Sequence, residues 1–231
     1  MTYNIRHGRG ADGHVDLGRI ADVIASFDAD IVGLQEVDRG RTRSAAADQA
    51  EVLASRLGMS ASFAPCITHG DGHYGIATLS RLPIAETRQL ALPRNERRRS
   101  EQRCALVTRF MWPDTDASID FVNTHLSTLF RERPAQVAAI AQDTTADETI
   151  LVGDFNCTPW SPAYRVLAST MQSATGRTRT WPARWPVVPI DHIFYRGPFQ
   201  VVRAGAWTGS AARSASDHLP VVAELAHRGE A

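Results

Sequence analysis

Polar side chains stand at the ends of several apolar segments, where an apolar strand has no structural need for them. Carboxylates, amides and imidazoles gathered at strand ends are the groups that a hard divalent cation and a phosphate require. Each residue alone has an ordinary explanation, such as solvation of a strand end, a turn or a hydrogen-bonded core histidine. Their recurrence in one chain indicates a shared site instead. The residues are Asn4, Glu36, His125, Asp154, Asn156, Asp191, His192, Asp217 and His218.

Interleaved helices and strands must position these side chains. Apolar residues at helical spacing follow Asp16, a predicted N-cap, and further helices are predicted over residues 46–57, 134–141 and 162–169. The predicted strands cover residues 3–6, 31–36, 75–80, 105–111, 118–123, 149–153, 190–195, 200–206 and 220–225. This pattern predicts one α/β domain over residues 1–231, with two packed sheets and helices outside.

The composition excludes several classes of protein. The chain has 231 residues, of which 43% are hydrophobic and 22% charged, as in ordinary soluble domains. Its 25 basic residues, all arginine, balance 25 acidic ones, so no overall field attracts nucleic acid or anionic lipid. No apolar stretch approaches the ~18–20 residues of a membrane span. The densest basic run, Arg97-Arg98-Arg99, is interpreted as a solvated turn.

The cysteine content favours a reduced compartment. Three cysteines, an odd number in a chain of this length, predict no disulfide framework. Without a signal-peptide pattern or an apolar span, the default expectation is a cytoplasmic location.

Short sequence motifs, and the order in which they follow one another along the chain, resemble those of a known family. The motifs are TYNIR at 2–6, GLQEV at 33–37, YG at 74–75, LSRLPI at 79–84, NTHL at 123–126, GDFN at 153–156, IDHI at 190–193 and SDHLPV at 216–221. Together they resemble the endonuclease/exonuclease/phosphatase superfamily. The resemblance implies a four-layered α/β sandwich of two packed, mostly antiparallel sheets flanked by helices. It also implies phosphoester hydrolysis with Mg²⁺ or Mn²⁺.

The resemblance assigns a metal site to four residues. Glu36 is expected to be the principal ligand, with Asn4 and Asp217 near it and Asp154 contributing a further carboxylate. An oxygen-rich set of this kind favours Mg²⁺ or Mn²⁺ over zinc.

The same resemblance assigns catalytic roles. Asp154 and Asn156 are expected to orient the attacking water and hold a phosphate oxygen. His218 is expected to contact the scissile phosphate and transfer a proton. His125 is expected to be paired with Asp191 and to protonate the leaving group.

Two arginines complete the expected phosphate-binding set. Arg6, two residues after Asn4, and Arg103, just before a predicted strand, match arginines near the phosphate in relatives. With them, Asn156 and His218 are expected to contact the substrate phosphate.

The substrate stays open at the level of sequence. A loop at residues 176–189 with Trp181 and Trp185 either covers the core or faces a substrate, and it resembles a loop of small bacterial members that act on lipid phosphates. A small phosphodiester or lipid-type substrate, with peripheral lipid contact and no obligate protein partner, is therefore favoured. A DNA nuclease is the alternative, which is less favoured because the chain carries no net positive charge for binding nucleic acid. A catalytically inactive binding module is a third interpretation.

Overall fold

Two six-stranded sheets form the centre of the protein, described by a computed structural model over residues 1–96, 100–112 and 117–228. The predicted turn at Arg97-Arg98-Arg99 lies outside the described residues. The strands are β1 (Thr2–Asn4), β2 (Ile31–Arg39), β3 (Ser60–His69), β4 (Gly72–Ser80), β5 (Glu86–Ala91), β6 (Cys104–Met111), β7 (Ser118–His125), β8 (Thr149–Asp154), β9 (Gln172–Ser173), β10 (Asp191–Arg196), β11 (Phe199–Ala206) and β12 (Val221–His227). The helices are α1 (Leu17–Ala25), α2 (Gln49–Leu57), α3 (Arg133–Asp143), α4 (Pro162–Ala168) and α5 (Ser210–Ala215).

The order of the strands in each sheet determines which strand ends lie next to each other. The first sheet runs β11-β12-β1-β2-β4-β3 and the second β5-β6-β7-β8-β10-β9. Within each sheet one pair is parallel, β1 with β2 and β7 with β8, and the other neighbours are antiparallel. Because parallel strands end at the same edge, each sheet delivers two carboxyl ends side by side.

Helices cover the outer face of each sheet. Ile20 and Leu53 of α1 and α2 pack with Leu34 of the first sheet, and Val137 of α3 packs with Leu151 of the second. A third apolar cluster joins strands of the two sheets to each other. The predicted four-layered α/β sandwich is confirmed.

The helix boundaries follow from local chemistry. Asp16 accepts a hydrogen bond from the Arg19 backbone and caps α1, as predicted. The second helix begins at Gln49 rather than at the predicted residue 46, because Ala45 and Ala46 have positive φ and Asp48 is the N-cap. None of the helices among the described residues is long and apolar enough to cross a membrane.

Buried polar groups hold the two sheets at a fixed separation. Asn123 on β7 donates to the carbonyls of Leu34 and Ala77 in the first sheet, at 3.0 and 2.8 Å. Its side-chain oxygen accepts from Gln35 Nε2 at 2.7 Å. A Cβ on Gly33 would lie 2.6 Å from a methyl group of Val152, so the close approach of the sheets requires glycine there. The parallel strand pairs of the two sheets are therefore locked against each other.

One disulfide forms, which the expectation of reduced cysteines without a disulfide framework did not foresee. Cys66 on β3 and Cys104 on β6 are bonded, with their Cα atoms 5.5 Å apart. The two residues lie in different sheets, and only the packing of the sheets brings them together. Cys157 is the buried free thiol. The cytoplasmic expectation loses this part of its basis and stays a prediction.

Candidate active site

One edge of the sandwich collects the candidate residues. Asn4 and Glu36 lie on the parallel strands β1 and β2, while His125 and Asp154 end the parallel strands β7 and β8. Asp191 begins β10, which is antiparallel to β8 and pairs it opposite Asp154. The topology therefore brings side chains that are more than 180 residues apart in the chain to one place.

A β-bulge turns Glu36 toward this edge. Gln35 pairs with Ile76 and Val37 with Gly75, so Glu36 is the extra residue, and its φ of 58° is in the left-handed region. Asn4 Nδ2 donates to Glu36 Oε1 and to Asp154 Oδ2, both at 3.1 Å. The amide nitrogen of Asn4, rather than its oxygen, thus connects the two carboxylates that were predicted to bind metal.

The turn after β8 fixes Asp154 and Asn156. The Asn156 backbone donates to Asp154 Oδ1 at 2.8 Å, and its side-chain amide donates to the Leu126 carbonyl at 3.0 Å. Asn156 has a φ of 48°, a conformation that asparagine tolerates better than most residues. Both residues hold the orientation without help from a ligand.

The predicted pairing of His125 with Asp191 is wrong, because Asp191 pairs with His218. Its Oδ2 and Oδ1 lie 3.0 and 3.2 Å from Nδ1 of His218. His218 is placed by an irregular segment before β12, in which the Ser216 hydroxyl donates to the Asn4 carbonyl at 2.8 Å. The other ring nitrogen of His218 lies 3.7 Å from Asp154 Oδ2. An Asp–His dyad therefore faces the carboxylate at the end of β8.

His125 has an arginine as its partner instead of a carboxylate. Its Nδ1 lies 3.1 Å from Nη1 of Arg103, and its Nε2 lies 3.4 Å from Asp154 Oδ2. A guanidinium only donates hydrogen bonds, so Nδ1 must accept and the ring proton must be on Nε2. Burial, Arg103 and His218 together hold the pKa of His125 well below its usual value.

Arg6 and Asp217 pair with each other at the margin of the site. Arg6 Nε lies 3.5 Å from Asp217 Oδ2, and each side chain is about one-third exposed, at 36% and 37%. Arg6 does not line the cleft described below, in contrast to Arg103, Asn156 and His218. The predicted phosphate contact of Arg6 stays a prediction.

A cleft of about 390 Å³ opens over these residues. Part of its wall comes from residues to which the sequence assigned no role. Arg41 and Arg43 follow β2 and lie outside the motifs, and Tyr74 of the YG motif comes from β4. The predicted residues in its lining are Glu36, Arg103, His125, Asp154, Asn156 and His218. No motif marks the additional arginines; their density after β2 is the only signal the sequence offers.

Residues 1–218 match the sequence profile of the Endonuclease/Exonuclease/phosphatase family. The chain belongs to this family. An uncharacterized Escherichia coli K12 protein, YbhP, is similar to it at 28% identity, over 97% of this chain and 94% of YbhP.

Solved structures of the family share the fold. An endonuclease/exonuclease/phosphatase from Beutenbergia cavernae is similar with a TM-score of 0.77 and 25% identity, over 97% of this chain and 70% of that one. The mannosyl-6-phosphatase Bt3783 of Bacteroides thetaiotaomicron has a TM-score of 0.78 at 21% identity, over 97% and 98% of the two chains. As a family member, this chain is a phosphoesterase-class hydrolase.

The electrostatics of the site in this protein favour binding of a cation between Glu36 and Asp154. Burial raises the pKa of Glu36, and the bond from Asn4 only partly opposes it. Burial and the nearby Asp191 raise the pKa of Asp154. No ion pair to Glu36 forms among the residues that the structure describes. A half-buried carboxylate, Glu36, and a buried one, Asp154, that share one neutral amide are a donor set that a hard divalent cation fits.

The dyad belongs to a second group of side chains that offer ligand atoms close together. Asp154, Asp191 and His218 each offer a ligand atom within 4.8 Å of the others. Burial opposes protonation of His218, but Asp191 and Asp154 outweigh it and raise the pKa of His218. With this raised pKa the protonated ring is favoured, and it would have to lose its proton to coordinate a metal. The arrangement instead suits a histidine that donates a hydrogen bond or a proton.

Proposed function

We propose that this protein hydrolyses small phosphoesters with a divalent metal ion, Mg²⁺ or Mn²⁺. The observation that carries the proposal is the meeting of Glu36, Asp154 and the Asp191–His218 dyad in one cleft of about 390 Å³. Carboxylates for a hard cation and a charged donor for a phosphoryl oxygen thus lie side by side. A binding module has no need of a buried Asp–His dyad facing another carboxylate.

Glu36 and Asp154 are the residues proposed to hold the cation, with Asp217 at the margin. When bound, the ion would neutralise phosphate charge and lower the pKa of a water molecule. Asn4 contributes by keeping both carboxylates in place through its 3.1 Å bonds.

The protein's own residues supply the donors around the phosphorus. His218 directs Nε2 toward Asp154, and with its raised pKa it carries a proton to a phosphoryl oxygen. Asp191 fixes the ring and stabilises its positive charge. His125, positioned by Arg103, offers a neutral Nε2–H that lies near the same Asp154 oxygen as Nε2 of His218.

The dimensions of the cleft favour a small substrate over a DNA duplex. Its volume falls within the ~300–1,000 Å³ range of small-molecule sites. The chain also has no net charge, whereas binding to the DNA backbone depends on basic surface. The related fold of the mannosyl-6-phosphatase Bt3783 serves a phosphorylated sugar, which supports the same size of ligand.

A substrate panel tests the proposal. We expect hydrolysis of bis(p-nitrophenyl) phosphate or p-nitrophenyl phosphate with Mg²⁺ or Mn²⁺, and its loss in chelator. Plasmid nicking at a higher rate than turnover of every small ester would assign the protein to the nucleases instead. Absence of hydrolysis across esters, nucleotides and plasmid would favour the binding module.

His125→Ala should lower kcat/KM to a similar extent on alkyl and p-nitrophenyl esters. Its ring is neutral and its Nδ1 faces an arginine rather than a carboxylate that could stabilise a positive charge, so we expect it to bind the phosphate rather than to protonate the leaving group. Loss of one such hydrogen bond should cost about 10–100-fold. The measurement is kcat/KM on paired esters with good and poor leaving groups. A much larger loss on the alkyl ester than on the p-nitrophenyl ester would show that His125 does protonate the leaving group.

Trp185→Ala should affect lipid-type substrates and leave stability nearly unchanged. Trp185 is 72% exposed and does not line the cleft, so it does not cover the core. If it contacts a lipid surface, its removal should raise KM on a vesicle-borne phosphodiester about 3–10-fold. The melting temperature and KM on soluble esters are measured alongside, with Val202→Ala on β11 as the control. An equal KM on vesicles would exclude the lipid contact.

A further inference from the structure

Two arginines of the cleft serve no part of the hydrolytic site described above. Arg41 and Arg43 lie in the segment between β2 and α2, and both line the cleft. Each is fixed by a carboxylate that does not line the cleft, Asp71 for Arg41 and Asp38 for Arg43. The guanidinium groups are therefore presented to the cleft with their counter-ions outside its lining.

Arg41 is fixed in place and has hydrogen-bonding capacity left. Its side chain is only 14% exposed, and Nε lies 2.8 Å from Asp71 Oδ1. Asp71 also accepts from the Thr42 backbone at 3.0 Å, which ties the segment to the turn between β3 and β4. Within the described part of the chain, Nε and Nη1 of Arg41 are both buried without a hydrogen-bond partner, so the Asp71 contact is an ion pair that leaves these donors unsatisfied. Unsatisfied buried donors cost free energy, which an anion that draws the side chain toward the cleft would recover.

Arg43 is held even more rigidly. Its Nε and Nη2 donate to the two oxygens of Asp38, both at 2.7 Å, and Asp38 also accepts from the Ser44 hydroxyl at 3.0 Å. The guanidinium carbon lies 5.5 Å from the centre of the Tyr74 ring. Among the described residues Nη1 makes no hydrogen bond. Asp38 is two residues after Glu36 on β2, so this fork is anchored to the strand that carries the proposed metal ligand.

The free guanidinium donors of this wall, rather than its net charge, fit a second anion, since Arg41 and Arg43 are each already paired with a carboxylate. Glu101 is the acidic residue on the arginine side, and its Oε2 lies 2.9 Å from Nη2 of Arg103, which neutralises it. Arg103 is itself engaged with His125. Arg41 and Arg43 keep N–H groups that make no hydrogen bond among the described residues, as Arg103 does at Nε, but neither of them contacts a residue proposed to act in hydrolysis. Guanidinium groups bind phosphate oxygens particularly well.

We propose that Arg41 and Arg43 form a second anion subsite and that the substrate is a small phosphoester carrying a second phosphate group. This inference rests on the proposed function and extends it to a substrate class. One phosphate is hydrolysed beside Glu36 and Asp154, and the other is bound by the arginine pair. A single-phosphate ester occupies only the first position.

Binding and inhibition measurements test the subsite. Adenosine 3′,5′-bisphosphate should bind the wild-type protein at least about tenfold more tightly than the 3′- or the 5′-monophosphate, by calorimetry in chelator, since one charge-assisted contact is worth that much. It should inhibit hydrolysis of bis(p-nitrophenyl) phosphate with the same preference. Arg41→Gln should reduce the preference to about threefold or less. Arg43→Lys, which keeps the charge but loses the fork, should weaken it.

The controls separate this subsite from general electrostatics and from the proposed function. Arg203→Gln removes an exposed arginine that pairs with Glu224 on another part of the surface, and it should keep the full preference. Equal binding of mono- and bisphosphate to the wild type, with ester hydrolysis intact, would overturn the subsite alone. Tighter binding of a short oligothymidylate than of the bisphosphate would overturn the small-substrate assignment. Since the wild-type comparison needs no variant, a poorly folding Arg41→Gln cannot rescue the proposal.

Discussion

His218→Ala should lower kcat by about 10²–10⁴-fold on every phosphoester that the protein hydrolyses. His218 is the side chain that combines a carboxylate partner at 3.0 Å with a second ring nitrogen facing Asp154. In the proposed function its positive charge and its proton both act on the phosphoryl group, so the loss should not depend on the leaving group. Steady-state kinetics on p-nitrophenyl and alkyl esters measure the effect.

Asp191→Asn tests whether the dyad acts as a unit. Asparagine keeps the shape but cannot stabilise an imidazolium, so we expect most of the loss seen for His218→Ala. Because the two residues share one function, the double variant should be no slower than His218→Ala alone. His14→Ala, at an exposed histidine, is the matched control. Multiplying losses in the double variant would show that Asp191 acts independently of His218.

Glu36→Ala should weaken Mn²⁺ or Mg²⁺ binding by more than the about 10–100-fold that is typical when a residue behind the ligands is lost. Glu36 is the bulged residue that β2 turns into the cleft, and its carboxylate has only the Asn4 amide as a hydrogen-bond partner among the described side chains. Calorimetry with Mn²⁺ measures the affinity directly and does not depend on turnover.

Two further measurements make the Glu36 result specific. Glu51→Ala on the exposed face of α2 should leave Mn²⁺ affinity unchanged. Asp154→Asn should also weaken binding, since Asp154 shares the Asn4 bridge with Glu36. Unchanged Mn²⁺ affinity in Glu36→Ala would remove this residue from the metal site and leave the group of Asp154, Asp191 and His218 as the remaining candidate.

The sequence by itself determined the layered α/β architecture and indicated several of the residues that meet in the cleft. Hydrophobic periodicity located α1 and most strands, because burial of one face imposes a regular spacing on apolar residues. Polar residues at the ends of such strands interrupt the apolar pattern and can be recognised for that reason. Glu36, Asp154 and His218 were therefore identifiable before any contact between them was known.

Tertiary structure alone decided which partner each residue has. Asp191 was assigned to His125, but it bonds His218, and Arg103 takes its place beside His125. The cysteine pair Cys66–Cys104 was missed for a related reason. Such pairings depend on sheet order and on how the two sheets face each other, and both are set by long-range packing.

The spacing of residues along the chain does not predict these pairings. Hydrophobic periodicity indicates which side of a helix or strand is buried, but not which residues of other elements face it. The wall formed by Arg41 and Arg43 shows the same limit. Two arginines in a polar segment resemble solvated surface charge until Asp71 and Asp38 are seen to hold them at the cleft. Residue types thus establish the chemistry of this site, and the packing of the two sheets decides its geometry.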